Sequence, residues 1–314
     1  MTSKASTAFA QHETKPMKYF LYIIASVVMQ AFSYGYVSRT MDRPSNLLFV
    51  ILAFLSCTVF YFLLARKQKQ NIKKKDIAPL ALLNIGTAVA FVAFYASISL
   101  TQASVASLVE AAVGPLWIVI FSRSLRNGSG QWRELAVATI VLACAVFSAT
   151  TTMQTYTIAD GLGLALALMA GGGAALVAIW SRKADALGIS PQIILAHRFH
   201  GTYLVALALL MFHGGVHIDA SHLARDFLIA CFGVVGPMYL LQLGMQRCEP
   251  IATMLCLSVV PLATYGFELA LGGAFHWSTL LFLSLGVTCS STYLIFKGSF
   301  ERRNAKQALG ASPN

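Results

Sequence analysis

The stretch SVASLVEAAVGPLWIVIF, residues 104–121, decides how the chain is interpreted. At about 1.5 Å per residue, its length suits a helix that crosses a hydrocarbon core of roughly 30 Å. It nevertheless holds Glu110 and Pro115, an acid and a helix breaker that are both costly inside an apolar helix. The stretch therefore predicts a membrane helix with a special site, because acids within a bilayer are expensive to keep.

Apolar blocks of similar length recur along the whole chain. Of its 314 residues, 57% are hydrophobic and 11% are charged, whereas about a quarter are charged in soluble domains. A soluble helical core would need polar outer faces, which these blocks lack. We therefore predict an all-α integral membrane protein with ten transmembrane helices. They lie near residues 18–38, 46–65, 78–99, 102–122, 134–151, 161–181, 191–212, 226–245, 250–271 and 277–297.

The positive charges predict the orientation of these helices. With the N-terminus inside, 19 of the 23 Lys and Arg residues fall in inner segments and three in outer loops. This asymmetry obeys the positive-inside rule, so we expect the cytoplasmic (inner) membrane as the location, with both termini cytoplasmic. The net charge of +11 then requires no nucleic acid. The basic run ARKQKQNIKKK, residues 65–75, is explained as a topology signal beside anionic lipid.

The chain also repeats itself. ASLVEAAVGPLWIVIFSRSL (106–125) aligns with ATMLCLSVVPLATYGFELAL (252–271), and Pro115 aligns with Pro261. Both stretches are the fourth helix of a set of five. A repeat with an odd number of spans inserts its second copy upside down, as in carriers with a central site. We predict two inverted five-helix repeats over 17–151 and 158–298, with cytoplasmic tails at 1–16 and 299–314.

These residues carry a family resemblance. Ten spans, a five-plus-five duplication, and Ala-Ser/Thr separated by seven residues from Pro-Leu resemble the drug/metabolite transporter (DMT) superfamily, EamA type. The stretch SPQIILAHRFHGTYLVALALLMF (190–212) is similar to that family's second-helix pattern, with Pro191 followed by Arg198. The first half departs from the pattern, since Pro44 is followed seven residues later by Ile51.

The resemblance implies a secondary active transporter rather than an enzyme. The leading hypothesis is efflux of a small polar or zwitterionic metabolite, such as an amino acid or derivative, by alternating access with proton exchange as a candidate driving force. The alternatives are a lipid-substrate flippase and a membrane-embedded enzyme. The expected partners are the substrate and the lipid bilayer. A homodimer is left open, and no cofactor, metal or catalytic residue is expected.

Glu110 and the two prolines are the first candidate site residues. Glu110 heads a face of small residues: Ala103, Ala106, Ser107 and Gly114. Such a face allows close approach of a helix or borders a cavity. Glu110 is therefore predicted to bind a proton or a cationic substrate group, with packing as the alternative. Pro115 and Pro261 are predicted to bend their helices around a shared centre, with a static kink as the alternative.

Five other residues complete the candidate site. Arg198 offers planar donors for a carboxylate or phosphate if it faces the centre, but a long cation near a helix start also snorkels to the surface. His197 beside it is either a proton relay or an ordinary polar neighbour. For Glu268, a role in transport and a role in packing are both left open. Tyr265 and Trp117 are candidates to line the cavity, although most aromatic residues in membrane helices are structural.

Overall fold

The computed structural model describes residues 16–68, 72–123, 132–152, 157–214 and 220–310. Within those ranges the first half forms helices α1 (Pro16–Thr40), α2 (Arg43–Arg66), α3 (Lys74–Ile98), α4 (Ala103–Arg123) and α5 (Trp132–Thr152). The second half forms α6 (Ile158–Ala186), α7 (Pro191–His197), α8 (His200–Phe212), α9 (Ala220–Ala230), α10 (Gly236–Arg247), α11 (Pro250–Cys256), α12 (Val259–Ala270) and α13 (Trp277–Gly310). A π-helical turn, Cys231–Val235, joins α9 to α10.

The helices account for ten spans. The helices α7 and α8 form the seventh span, α9 and α10 with the π turn the eighth, α11 and α12 the ninth, and α13 the tenth. Nine spans in the described ranges are long and apolar enough to cross a membrane, and Leu135–Thr151 within α5 is a shorter apolar helix. The predicted all-α membrane architecture is confirmed. The predicted tail at 299–314 begins as a continuation of α13, which runs to Gly310, whereas residues 1–15 lie outside the described ranges.

Prolines explain two of the three interruptions in the second half. Pro261 has no N–H to bond the carbonyl of Leu257, and the ninth span is broken at Leu257 and Ser258. Pro237 likewise cannot bond Gly233, and the preceding Gly236 N–H bonds Cys231, five residues back. By contrast, α4 continues through Pro115. The matched bending role of Pro115 and Pro261 stays a prediction.

Packing between the two halves follows a reciprocal pattern. The first span packs on the eighth and ninth, and the sixth packs on the third and fourth. The second span packs on the seventh, the fourth on the ninth, and the fifth on the tenth. Exchanging the two halves leaves every one of these pairings in place. This pattern supports the proposed inverted repeats, since a two-fold axis in the membrane plane produces it.

Three consecutive glycines let α6 pack closely against two helices at once. A Cβ atom on Gly171 would lie 2.8 Å from the carbonyl oxygen of Glu110 in α4. A Cβ atom on Gly173 would lie 2.8 Å from the carbonyl oxygen of Gly86 in α3. The backbones of α3, α4 and α6 therefore touch at the middle of the bundle, as small residues allow in membrane helices.

Candidate functional site

Glu110 lies inside the bundle without a direct partner. It is seven residues into α4, about 10 Å from the start of the helix. Its side chain is half-buried, and among the described residues no hydrogen bond or ion pair engages its carboxyl group. The hydroxyl groups of Tyr34 and Tyr95 lie within electrostatic range of it. The helix α6 covers the backbone of Glu110 at Gly171. Because the carboxyl group has no bonded partner among the described residues, it is available to a proton or a ligand.

A row of hydrogen-bonded polar side chains on α1 leads to the region of Glu110. Tyr34 donates to Gln30 Oε1 at 3.1 Å, Gln30 donates to Ser26 Oγ at 2.9 Å, and Ser26 donates to the carbonyl of Pro237 at 2.8 Å. Sequence reasoning missed these three residues. Their spacing of four places them on one face of an apolar helix, and that spacing is the signal that would have identified them.

Aromatic rings continue from Glu110 toward Arg198. The ring of Tyr34 lies 5.8 Å from that of Tyr95, which lies 6.4 Å from Phe54, which lies 5.2 Å from Phe199. The hydroxyl of Tyr95 is buried without a hydrogen-bond partner. These four rings, the aromatic chain, separate the acid from the arginine with packed side chains.

Arg198 is buried at the interruption of the seventh span. Its side chain is 1% exposed, so the snorkelling alternative is wrong. Nε donates to Thr87 Oγ1 of α3 at 3.1 Å, and a terminal nitrogen donates to Gln242 Oε1 of α10 at 2.5 Å. In the described ranges no carboxylate lies within ion-pair distance of the guanidinium. Arg198 thus joins α3, α7 and α10 through neutral acceptors.

The side chain of Asn84 in α3 satisfies two backbone groups at the same interruption. Its side-chain nitrogen donates to the carbonyl of His197 at 2.7 Å, and its oxygen accepts from the N–H of Gly201 at 2.7 Å. One amide side chain therefore satisfies a carbonyl before the break and an N–H after it. In a membrane these groups have no water to bond, so they must be satisfied within the protein.

Replacing Asn84 by leucine is expected to destabilise the seventh span. Two hydrogen bonds disappear and two backbone groups lose their partners, so we expect a loss of about 2–4 kcal/mol. Thermal denaturation in detergent measures the change, with Ile85→Leu on the exposed face of the same helix as the control. Equal melting temperatures for N84L and the control would contradict this assignment.

Glu268 stabilises the start of another helix. Its carboxylate accepts from the N–H groups of Ala103 at 2.9 Å and Ser104 at 3.3 Å, and from the hydroxyl of Ser38 at 3.3 Å. A carboxylate at a helix N-terminus satisfies free N–H groups and complements the helix dipole. This contact, the Glu268 latch, joins the ninth span to the first and fourth at one end of the bundle.

A pocket of about 260 Å³ lies beside the Glu268 latch. Its polar lining includes Ser38, Arg39, Gln102, Tyr265 and Glu268. The Tyr265 hydroxyl also accepts from the N–H of His276 at 2.7 Å. The structure therefore brings Glu268 and Tyr265 together, but away from the middle of the bundle.

Trp117 and His197 occupy separate positions. The indole of Trp117 donates to the carbonyl of Leu168 at 3.3 Å and stacks on Phe121, so it packs α4 on α6. The ring of His197 lies 6.0 Å from that of His200. It lines a largely apolar pocket of about 450 Å³ on the α3 face. No group of three or more His, Cys, Asp and Glu side chains in the described ranges is arranged to hold a metal ion.

Glu110 and Arg198 lie at different depths. The chain crosses the bilayer three times before α4 and six times before α7, so these helices start on opposite sides. Each residue lies seven positions from its helix start, about 10 Å deep. In this conformation the aromatic chain lies between the two groups.

Comparison with known proteins tests the family and the fold. Residues 17–152 match the model of the EamA-like transporter family. A solved structure described only as "Crystal structure of protein" superposes with a TM-score of 0.67 at 14% identity, covering 90% of this chain and 98% of that chain. At that identity the likeness shows the fold alone. No curated protein matches the sequence.

The family match covers all five spans of the first half, which contains Glu110 and the Pro-Leu motif at residue 115. It confirms the resemblance that these residues carry. Residues 17–152 are thus similar to the EamA-like transporter family.

Proposed function

We propose that this protein is a membrane transporter, which exports a small polar or zwitterionic metabolite, an amino acid or a derivative, by alternating access coupled to proton exchange. The observation that carries the proposal is Glu110, a half-buried acid inside the bundle with no bonded partner among the described side chains. Such an acid marks a proton or substrate pathway, because an unused charge within a membrane is costly. The proposed location is the inner membrane with cytoplasmic termini, and no nucleic-acid partner is expected.

Polar contacts close the two ends of the bundle, and alternating access would have to break them in turn. At the end proposed to be external, the Glu268 latch joins three spans. At the other end, Arg247 pairs with Asp185 at 3.4 Å, and Gln246 donates to the carbonyl of Ile189 at 3.0 Å. Opening either end then requires release of a small number of polar contacts, and the packed aromatic chain lies between the two ends.

The proposal predicts that Glu110→Gln loses proton-driven export. Glutamine keeps the size of the side chain but cannot release a proton or carry a negative charge. In proteoliposomes with an imposed pH gradient, we expect efflux of labelled amino acids to fall at least about tenfold, the change that about 1.4 kcal/mol produces. Glu249→Gln is the matched control, because Glu249 is an exposed acid that pairs with Lys297.

The same assay separates the two roles of Glu110. Substrate exchange without a gradient persists in E110Q if Glu110 only carries the proton, and is lost if it also binds a substrate cation. Gradient-driven efflux at the wild-type rate in E110Q would remove Glu110 from the mechanism.

A lipid-like substrate is the second candidate. The pocket on the α3 face is lined by Ile72, Ile77, Leu80, Ala81 and Ile85, with Asn84 and His197 as its polar members. An apolar pocket with a polar edge suits an acyl chain with a head group. Transbilayer movement of a fluorescent phospholipid by the reconstituted protein, together with no efflux of amino acids, would favour this function.

A further inference from the structure

Arg198 carries a buried positive charge that the described side chains do not neutralise. A buried ion is costly unless it is paired and hydrogen-bonded. A guanidinium has five N–H donors, and the two bonds to Thr87 and Gln242 use two of them. Both acceptors are neutral. The arginine therefore keeps a full charge and spare donors in the interior of the bundle.

The amide of Gln242 adds another spare donor. Gln242 is fully buried. Its side-chain oxygen must face Arg198, because the amide nitrogen in that position would place one N–H donor opposite another. Its Nε2 group is consequently left without a hydrogen-bond partner. Thr202, four residues after Arg198, has a buried hydroxyl that is also unpartnered.

Unsatisfied donors around a buried cation fit one kind of ligand. A carboxylate has two oxygens and about four acceptor sites, and it pairs with the guanidinium fork through two parallel bonds. It would supply the missing negative charge and could also accept from the amide of Gln242. A neutral ligand would leave the charge uncompensated, and a cation would be repelled.

We infer that Arg198 and Gln242, with Thr87 holding the guanidinium in place, bind the carboxylate of the transported substrate. The inference rests on the proposed function and narrows its substrate class to compounds with a free carboxylate. These three residues are the Arg198 donor cluster. The cluster lies about 10 Å from the start of α7, in the half of the bilayer proposed to face the cytoplasm, where an exporter loads its substrate.

The local backbone fits a site that opens and closes. Arg198 lies at the break between α7 and α8, and Gln242 follows the π turn of the eighth span. Such breaks in membrane helices occur where the backbone lines a binding site or is buried in protein. Movement of either segment would alter the distance between the guanidinium and the amide.

The decisive variant is Gln242→Glu, which places an internal carboxylate next to Arg198 in nearly the same shape. Thermal denaturation of the full-length protein in detergent is measured with propionate, with its neutral isostere propionamide, and with inorganic phosphate. Propionate is expected to raise the melting temperature of the wild type by several degrees, since a ligand of the folded state stabilises it. Propionamide is expected to have no effect.

In Q242E the built-in carboxylate competes with the ligand. We expect a higher melting temperature without ligand and an affinity for propionate at least about tenfold lower. Arg198→Gln is expected to abolish the propionate shift. Glu249→Gln is the control, because Glu249 is an exposed acid that pairs with Lys297 instead; its propionate shift should equal that of the wild type.

Each other outcome has a defined meaning. A propionate shift that persists in both R198Q and Q242E overturns the inference, and so does an equal shift with propionamide. A shift with phosphate but none with propionate overturns the assignment to a carboxylate. If proteoliposomes export amino acids while propionate does not bind, only this inference fails; if propionate binds through Arg198 and no candidate is transported, the proposed function fails instead.

Discussion

Gly173→Ala is expected to prevent stable packing of α6 against α3. The added Cβ atom would lie 2.5 Å from the backbone nitrogen of Ala90 and 2.8 Å from the carbonyl oxygen of Gly86. These are backbone atoms, so no side-chain rotation relieves the overlap, and the two helices must separate. Overpacking of a core typically costs about 1–3 kcal/mol, and we expect this variant at or above the upper limit.

Gly266→Ala provides the matched control. Gly266 is also helical, within α12, and a Cβ atom there meets nothing within 4 Å. Its variant should be as stable as the wild type or slightly more so, because alanine is the better helix former. Size-exclusion chromatography after heating in detergent compares the two variants. A G173A protein as stable as G266A would show that α3 and α6 are not in close contact.

Glu268→Leu is expected to be the second most damaging change. Leucine leaves the N–H groups of Ala103 and Ser104 without their acceptor at the start of α4. Each buried donor left unsatisfied costs about 1–3 kcal/mol, so a total of about 2–6 kcal/mol is expected. Glu268→Gln keeps an acceptor oxygen and should recover most of the stability.

The comparison between these two variants distinguishes packing from transport. If the Glu268 latch only holds helices together, E268Q exports at nearly the wild-type rate while E268L unfolds at lower temperature. Glu249→Leu is the control at the other end of the same span, where the loss of an exposed ion pair costs under about 1 kcal/mol. A stable E268Q that no longer transports would instead place Glu268 in the transport cycle.

The ten spans were predictable because each is a long apolar run, and the bilayer sets the length of such runs. Their bounds differ from the helices by six residues at most, except at α13. The break at Arg198 and Phe199 was not predictable, since neither residue is a helix breaker. The hydrogen bond that satisfies the carbonyl of His197 at this break comes from Asn84, 113 residues away in sequence. Only the folded chain brings these residues together.

For the candidate site, Glu110 could be singled out by the cost of its charge in a membrane helix. The partners of Arg198 could not, because Thr87 and Gln242 are 111 and 44 residues distant in the chain. Nothing local in the sequence separates Gln242 from other polar residues of the eighth span. The role of Glu268 as a helix cap is equally hidden, because the helix that it caps begins 165 residues earlier.

The π turn at Cys231–Val235 has a consequence for chain length. A π turn holds one residue more than an α-helix would place there, and each residue turns an α-helix by about 100°. Without the wide turn, the extra residue would rotate Gln242 by about that angle away from the guanidinium of Arg198. The π turn absorbs it, so deleting one residue from this turn would restore regular winding with Gln242 still facing the arginine. A relative without the extra residue would therefore present the residue equivalent to Gln242 to its arginine, and an alignment of this span needs a one-residue gap before Pro237.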